Sequence, residues 1–247
     1  HRTLVQAGAP VALVRLPRSS RNVTVIRILI ADDHPLFRTA LAQAVAGLEP
    51  DTEVLEAGSL GAALSLLDGR PDIDLVLLDL HMPDSHGLMG LATLRAAHPA
   101  VAVAMISADE EAETVRRALA YGAAGYIPKR SDSDALHGAL RTLLDGGEYL
   151  PRDLVERLDA LPPADEDDRT AARLAQLTPQ QFKVLTLVAE GRLNKQIADV
   201  LGISERTVKA HLSALFEKLD VRNRTQAGVL LKSLQLREAQ PTPRPEG

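Results

Sequence analysis

The run Leu75-Val76-Leu77-Leu78-Asp79 constrains the fold of this chain more than any other stretch. Four apolar residues, with Asp74 before them and Pro83 and Gly87 after, read as a strand buried on both faces, as in a parallel sheet covered by helices. Asp79 then stands at the carboxyl end of the strand. In open α/β sheets that edge collects ligands, because the loops leaving it form a crevice. By position alone, an acid there is either a solvated edge residue or a reactive group.

The same unit repeats along the chain. Residues 25–31 are β-branched and apolar and end at Asp32-Asp33; a helix is predicted over 35–47, with Pro35 in its first turn. A strand near 53–57 and a helix opened by Ser59 and ended near Gly69 precede the strand to Asp79. After it come a helix over 88–98, a strand over 101–106, a helix over 110–121, a short strand over 125–127 and a helix over 132–145. This alternation predicts a parallel, doubly wound α/β domain over residues 25–150, with flavodoxin-like (βα)5 strand order.

From 151 to 175 the pattern weakens. Pro162-Pro163 followed by Asp165, Glu166, Asp167 and Asp168 reads as a linker with short helices on either side. Its acids are read as solvating, the alternative being contact with the basic segment that follows. Residues 176–238 are predicted all-helical. Thr178-Pro179-Gln180-Gln181 is a capping-box start, and Leu201-Gly202-Ile203-Ser204 joins two helices in a helix-turn-helix pattern within a four-helix unit. The proline-bearing tail, 239–247, is expected to be loose, and residues 1–24, which carry Arg2, Arg15, Arg18 and Arg21 with no acid, to be a disordered extension or a start-site artefact.

Composition narrows the chemistry. With no cysteine there is no thiol catalysis, disulfide or Cys-based metal site, which fits a reducing compartment. No apolar run approaches the roughly 18–20 residues of a membrane span. The net charge of -5 conceals an acidic front and a basic back, which suggests two tasks.

Asp32, Asp33 and Asp79 come together at the ends of two strands that neighbour each other in this order. Crowded carboxylates need a cation, and Mg²⁺ suits them, since it takes a few carboxylate oxygens, keeps several waters and pairs with phosphate oxygens. Ser107 ends the fourth strand and Lys129 follows the fifth, adding a hydroxyl and an ammonium. A nucleophile, a metal and donors around the equatorial oxygens are the parts of a phosphoryl-transfer site. Asp79 is the candidate nucleophile, Asp32 and Asp33 the cation holders, and the backbone around Leu80 and His81 a further source of contacts. His34, His86 and His98 show no ligand spacing and are read as surface or loop residues.

These residues, with Met82-Pro83, Gly87, Ser107-Ala108 and Tyr126-Ile127-Pro128-Lys129, resemble a response-regulator receiver domain. The resemblance implies that Asp79 accepts a phosphoryl group from a sensor histidine kinase. It implies further that Mg²⁺ is held by Asp32, Asp33, Asp79 and the His81 backbone carbonyl, that Ser107 and Lys129 bind the phosphoryl oxygens, and that Tyr126 shifts with Ser107.

On the helix after Ser204, Val208, Leu212, Leu215, Phe216 and Leu219 recur at core spacing, leaving Arg206, Lys209, Ala210 and Ser213 on the opposite face. The second helix of a helix-turn-helix enters the major groove of double-stranded DNA. The stretches from Leu177 to Gly191, Asn194 to Ala198, Ile203 to Leu212 and Lys218 to Ala227 closely resemble the LuxR-type helix-turn-helix. The whole chain is therefore similar to NarL/FixJ-family response regulators. By that resemblance Lys209, Ala210 and Ser213 face bases, although Ser213 is short where a longer polar residue often serves. Lys195, Arg206, Thr207 and Arg224 meet phosphates, and the last helix, through Val229, Leu230 and Leu234, dimerises on DNA.

The expectation is a cytoplasmic transcription regulator, a homodimer when active, that catalyses only its own phosphorylation and dephosphorylation. A phosphatase with an aspartyl nucleophile would need a general acid where His81 stands. The other alternative is a DNA-binding regulator whose receiver serves only as a dimerisation or ligand-sensing module.

Overall fold

The computed structural model describes residues 25–239. The expectations for residues 1–24 and for the tail from Gln240 onward lie outside the described residues. The first unit runs β1 (Ile26–Ala31), α1 (Pro35–Ala46), β2 (Thr52–Ala57), α2 (Leu60–Gly69), β3 (Leu75–Asp79), α3 (Met89–Ala97), β4 (Ala102–Ser107), α4 (Ala112–Ala120), β5 (Gly125–Pro128) and α5 (Ser133–Leu144). All neighbouring strands are parallel, and the order is β2-β1-β3-β4-β5, the flavodoxin-like arrangement. Every residue of β3 is buried, as its unbroken apolar run requires.

Side chains alternate across the sheet and divide the core. Ile28, Ile30, Leu75 and Leu77 face Leu41 and Val45 of α1 and Leu136 and Leu140 of α5. Leu29, Val76, Leu78 and Met105 face the α2, α3 and α4 layer, which continues without a break into the C-terminal helices. Helix α4 is shorter than its periodicity predicts, because Asp109 Oδ1 accepts the Glu111 amide at 2.8 Å and that side-chain turn holds the β4–α4 loop extended.

Two linker helices follow, α6 (Arg152–Asp159) and α7 (Glu166–Ala175), and then α8 (Pro179–Ala189), α9 (Asn194–Leu201), α10 (Glu205–Leu219) and α11 (Arg224–Ala239). Reading the linker acids as solvating requires correction at Asp168, since Asp165 and Glu166 are exposed. Asp165 caps α7, and Asp168 closes a capping box by accepting the Asp165 amide at 3.2 Å, with Glu166 and Asp167 also in the first turn. Asp168 is buried and faces Arg116 of α4, not the basic domain. Toward the C-terminal domain, Arg173 of α7 stands 3.7 Å from Asp220. Gly202 ends α9 with φ 64, a left-handed conformation that suits glycine and sets the turn into α10.

Candidate functional site

Register brings the acids together. Ala31 pairs with Leu78 and Asp79 with Ile106, so Asp32 leaves β1 beside Asp79 at the carboxyl edge. Ser107 pairs with Pro128, which delivers Lys129 to the same edge. Lys129 Nζ lies 2.7 Å from Asp32 Oδ2 and 3.2 Å from Asp79 Oδ2, and rests 4.5 Å from the centre of the Phe37 ring. The aromatic face and the two carboxylates hold the ammonium over the crevice. The Lys129 amide also donates to Ser107 O at 2.8 Å, locking the β5 exit to the end of β4.

Asp79 is almost fully buried, and Asp32 is fully buried. Burial pushes the Asp79 carboxyl above its ordinary range; the Lys129 ammonium opposes this and the Asp32 charge adds to it. Asp79 Oδ1 has no hydrogen-bond partner among the described residues. A buried carboxylate oxygen with no donor is costly unless a cation or a reacting group completes it. With Asp32, Asp33 and His34 it forms a cluster of carboxylate oxygens and one imidazole nitrogen that could hold a divalent cation.

An open cleft of about 340 Å³ reaches Asp33 and is lined by Leu80, His81, Met82 and Pro83. The loop is anchored by Asp84, whose carboxylate accepts the Leu60 and Gly61 amides of α2, each at 2.9 Å. Desolvation raises the Asp84 carboxyl, but those two amides outweigh it and hold the group below the usual range. His81 itself is exposed beside this cleft.

On the other side, Ser107 is fully buried, and its Oγ accepts the Asp109 amide at 3.0 Å. The Tyr126 ring is buried and its hydroxyl donates to Asp109 O at 2.6 Å. Burial pushes the Tyr126 phenol well up, so it stays a donor. The hydroxyl of Ser107 and the ring of Tyr126 thus hold one loop between them.

His34 escaped the sequence reading. It has no metal-ligand spacing along the chain, yet its Nδ1 stands 2.8 Å from Asp33 Oδ1 and 3.3 Å from Asp32 Oδ1. The only signal available in advance was its adjacency to the Asp pair.

In the C-terminal unit, Val208, Leu212, Leu215 and Leu219 are buried and Phe216 is half-buried. Arg206, Thr207, Lys209, Ala210 and Ser213 are all exposed on the opposite face of α10, and Lys195 is exposed on α9. Ser213 Oγ folds back onto Lys209 O at 3.1 Å, which occupies its donor. Arg224 is half-buried and donates to Asn194 Oδ1 at 3.1 Å and to Arg192 O, so it ties α11 to α9. Among the residues expected to dimerise, Val229 is exposed and Leu230 half-buried. Leu234 requires correction: it is buried, because α11 turns that side chain into the domain's own core. Leu236 is the other large apolar residue exposed on this helix.

No helix among the described residues is long and apolar enough to cross a membrane. Residues 28–141 match the model of the response regulator receiver domain, and residues 175–231 match that of the luxR family of bacterial regulatory proteins. The glycerol metabolism activator of Pseudomonas putida is 43% identical over 204 residues, covering 81% of this chain and 92% of that protein. The nitrate/nitrite response regulator NarP of Escherichia coli is 36% identical over 221 residues, covering 89% and 99%. Among solved structures, the RcsB response regulator of Salmonella typhimurium aligns with TM-score 0.51 at 22% identity, covering 85% of this chain and 100% of that one, a likeness of fold.

Proposed function

Because this chain belongs to the NarL/FixJ family of response regulators, a receiver domain joined to a LuxR-type DNA-binding domain, we propose that phosphorylation of Asp79 controls its assembly on DNA. The observation that carries the reading is the convergence on one sheet edge of a buried acid with a free oxygen, two further acids and a lysine.

In the proposed step, a carboxylate oxygen of Asp79 attacks the phosphorus of a sensor kinase's phosphohistidine. The P–N bond breaks, its electron pair stays on the imidazole, and an acyl phosphate remains on Asp79. Bound Mg²⁺ would neutralise charge on the transferring oxygens, held by Asp32, Asp33, Asp79 and the His81 carbonyl. Lys129 exchanges its carboxylate contacts for a phosphoryl oxygen, and Ser107 turns its hydroxyl toward another. Giving up the Asp109 amide frees the β4–α4 loop, and Tyr126 follows into the space. Water later releases phosphate and restores Asp79, so the receiver serves as a timed switch and not as a turnover enzyme.

The output follows from what this form leaves open. The side chains of α10 assigned to DNA are exposed to solvent with the receiver docked. We read the signal as acting on domain separation and on pairing of two copies through the exposed side of α11, on double-stranded DNA in the cytoplasm. Incubation with a small phosphodonor and Mg²⁺, followed by mass measurement and footprinting, tests the reading. One phosphoryl group should be gained by the wild type and none by Asp79→Asn, with stronger protection of DNA by the modified protein. Equal protection by both would return the receiver to a phosphorylation-independent role.

A further inference from the structure

His34 is the N-cap residue of α1, a position where Ser, Thr, Asp and Asn are preferred, but its side chain makes no capping bond. The ring turns instead into the acidic cluster. Nδ1 lies 2.8 Å from Asp33 Oδ1, 3.3 Å from Asp32 Oδ1 and 3.9 Å from Asp79 Oδ2. One donor atom from each of Asp32, Asp33, His34 and Asp79 falls within 4.8 Å of all the others. The Asp32 oxygen nearest the ring is also oriented by the chain, since it accepts the His34 amide at 2.7 Å.

These separations have a simple reading. In an octahedron with ligand bonds of about 2.1 Å, adjacent donors lie about 3.0 Å apart and opposite donors about 4.2 Å apart. The separations of the imidazole nitrogen from the Asp33, Asp32 and Asp79 oxygens fall within the range that donors to one small divalent ion would span. A second observation points the same way: Oδ1 of the buried Asp79 faces this cluster with no hydrogen-bond partner among the described residues.

We propose that His34 supplies an imidazole ligand to the receiver's cation site, so that the site is a mixed nitrogen–oxygen centre favouring borderline divalent ions such as Mn²⁺ over Mg²⁺. This rests on the reading of the acid cluster as a divalent-cation site. Imidazole binds transition ions well and contributes little to Mg²⁺, which prefers oxygen donors and retains its waters. Coordination through Nδ1 places the ring proton on Nε2. The His34 side chain is 64% exposed, so replacing it removes a ligand without opening a core cavity.

The full chain is loaded with Mn²⁺ and examined by pulsed electron paramagnetic resonance, with affinities for Mn²⁺ and Mg²⁺ measured in parallel. Nitrogen-14 coupling at the manganese is expected in the wild type and lost in His34→Ala. The preference for Mn²⁺ over Mg²⁺ should fall about tenfold in the variant, the scale of a lost supporting ligand interaction, while Mg²⁺ affinity stays nearly constant. His34→Asn, which keeps a small polar N-cap, should match His34→Ala if the imidazole itself is the cause. Tight Mn²⁺ binding without nitrogen coupling overturns the role of His34 and leaves the carboxylate site standing. Failure of Mn²⁺ and Mg²⁺ alike to bind the wild type overturns both.

Discussion

Arg116 on α4 meets Asp168 in the first turn of α7, with Nε 2.9 Å from Oδ2, and the same guanidinium donates through Nη1 to Pro162 O at 2.6 Å. Asp168 is simultaneously the N3 residue of the α7 capping box. One receiver side chain therefore grips both the loop and the first turn of the linker helix, 46 and 52 residues further along the chain. Close by, Glu110 of the β4–α4 loop accepts two bonds from Arg130, which also reaches Asp153 of α6. The loop expected to move with Ser107 is thus wired to the linker by charge.

Loss of this grip should loosen the two domains without unfolding either. Arg116→Ala removes both contacts, whereas Asp168→Asn keeps an acceptor for the capping box and removes only the charge. Each is predicted to weaken docking by about 1–2 kcal/mol, as the pair is partly screened. Tryptic cleavage at the linker arginines should quicken about tenfold. The double variant should do little more than either single one. Unchanged cleavage in both single variants would show that the packing of α4 and the Arg130 contacts to Glu110 and Asp153 hold the linker without Arg116.

Asp79 gives a prediction with a pH sign. Its carboxyl is raised chiefly by burial, so without a cation the folded chain binds this proton more tightly than the unfolded chain, whose value lies near 3.8. Between that value and the higher folded one, stability falls as pH rises, and above the folded value the penalty is complete. In chelator at neutral pH, Asp79→Asn should therefore melt about 2–4 °C above the wild type, the response of a chain this long to roughly 1 kcal/mol. The gap should close in acid. Added Mg²⁺ should raise the wild-type Tm and leave that of the variant unmoved. Lower stability of Asp79→Asn at neutral pH would mean that Lys129 attraction outweighs desolvation.

The parts legible in advance were those encoded by neighbours in sequence. The apolar run before Asp79, the acids ending β1 and the lysine after β5 needed only strand–helix alternation to be placed on one edge. The capping box at Thr178 and Gln181 was readable for the same reason, and its bonds form at 3.0 and 3.3 Å. His34 and Asp168 were not readable, since their partners depend on rotamers and domain docking. Leu234 was misjudged because its side chain's direction depends on how α11 turns against α8, which periodicity in a helix rich in leucine does not fix.

On DNA, the exposed cations should separate into two behaviours. Lys195→Ala and Arg206→Ala are predicted to weaken binding to all sequences and to reduce the salt slope by about 1 each, the signature of a lost phosphate contact. Lys209→Ala should cost about 1–3 kcal/mol on the operator and relax discrimination at one base pair. Arg224→Ala should also lower the melting temperature, because Arg224 links α11 to α9 through Asn194 and Arg192. Quantitative binding at several salt concentrations distinguishes these cases, and identical slopes for Arg206→Ala and the wild type would remove Arg206 from the phosphate contacts.

Helix α11 allows packing and pairing to be tested apart. Val229 and Leu236 are 61% and 67% exposed, whereas Leu234 is 4% exposed and lies in the core. An acid at an exposed position leaves the fold within about 0.5 kcal/mol but puts like charges together when two copies meet at a twofold axis. Val229→Glu should therefore keep the wild-type melting temperature while phosphorylated protein loses its cooperative binding to paired half-sites. Leu234→Ala should do the reverse, costing about 2–5 kcal/mol of stability through the cavity it leaves, with pairing reduced only as far as the fold is lost. Thermal melts and sedimentation of the phosphorylated protein with and without DNA resolve the two. Wild-type assembly of Val229→Glu on DNA would show that the dimer surface lies elsewhere.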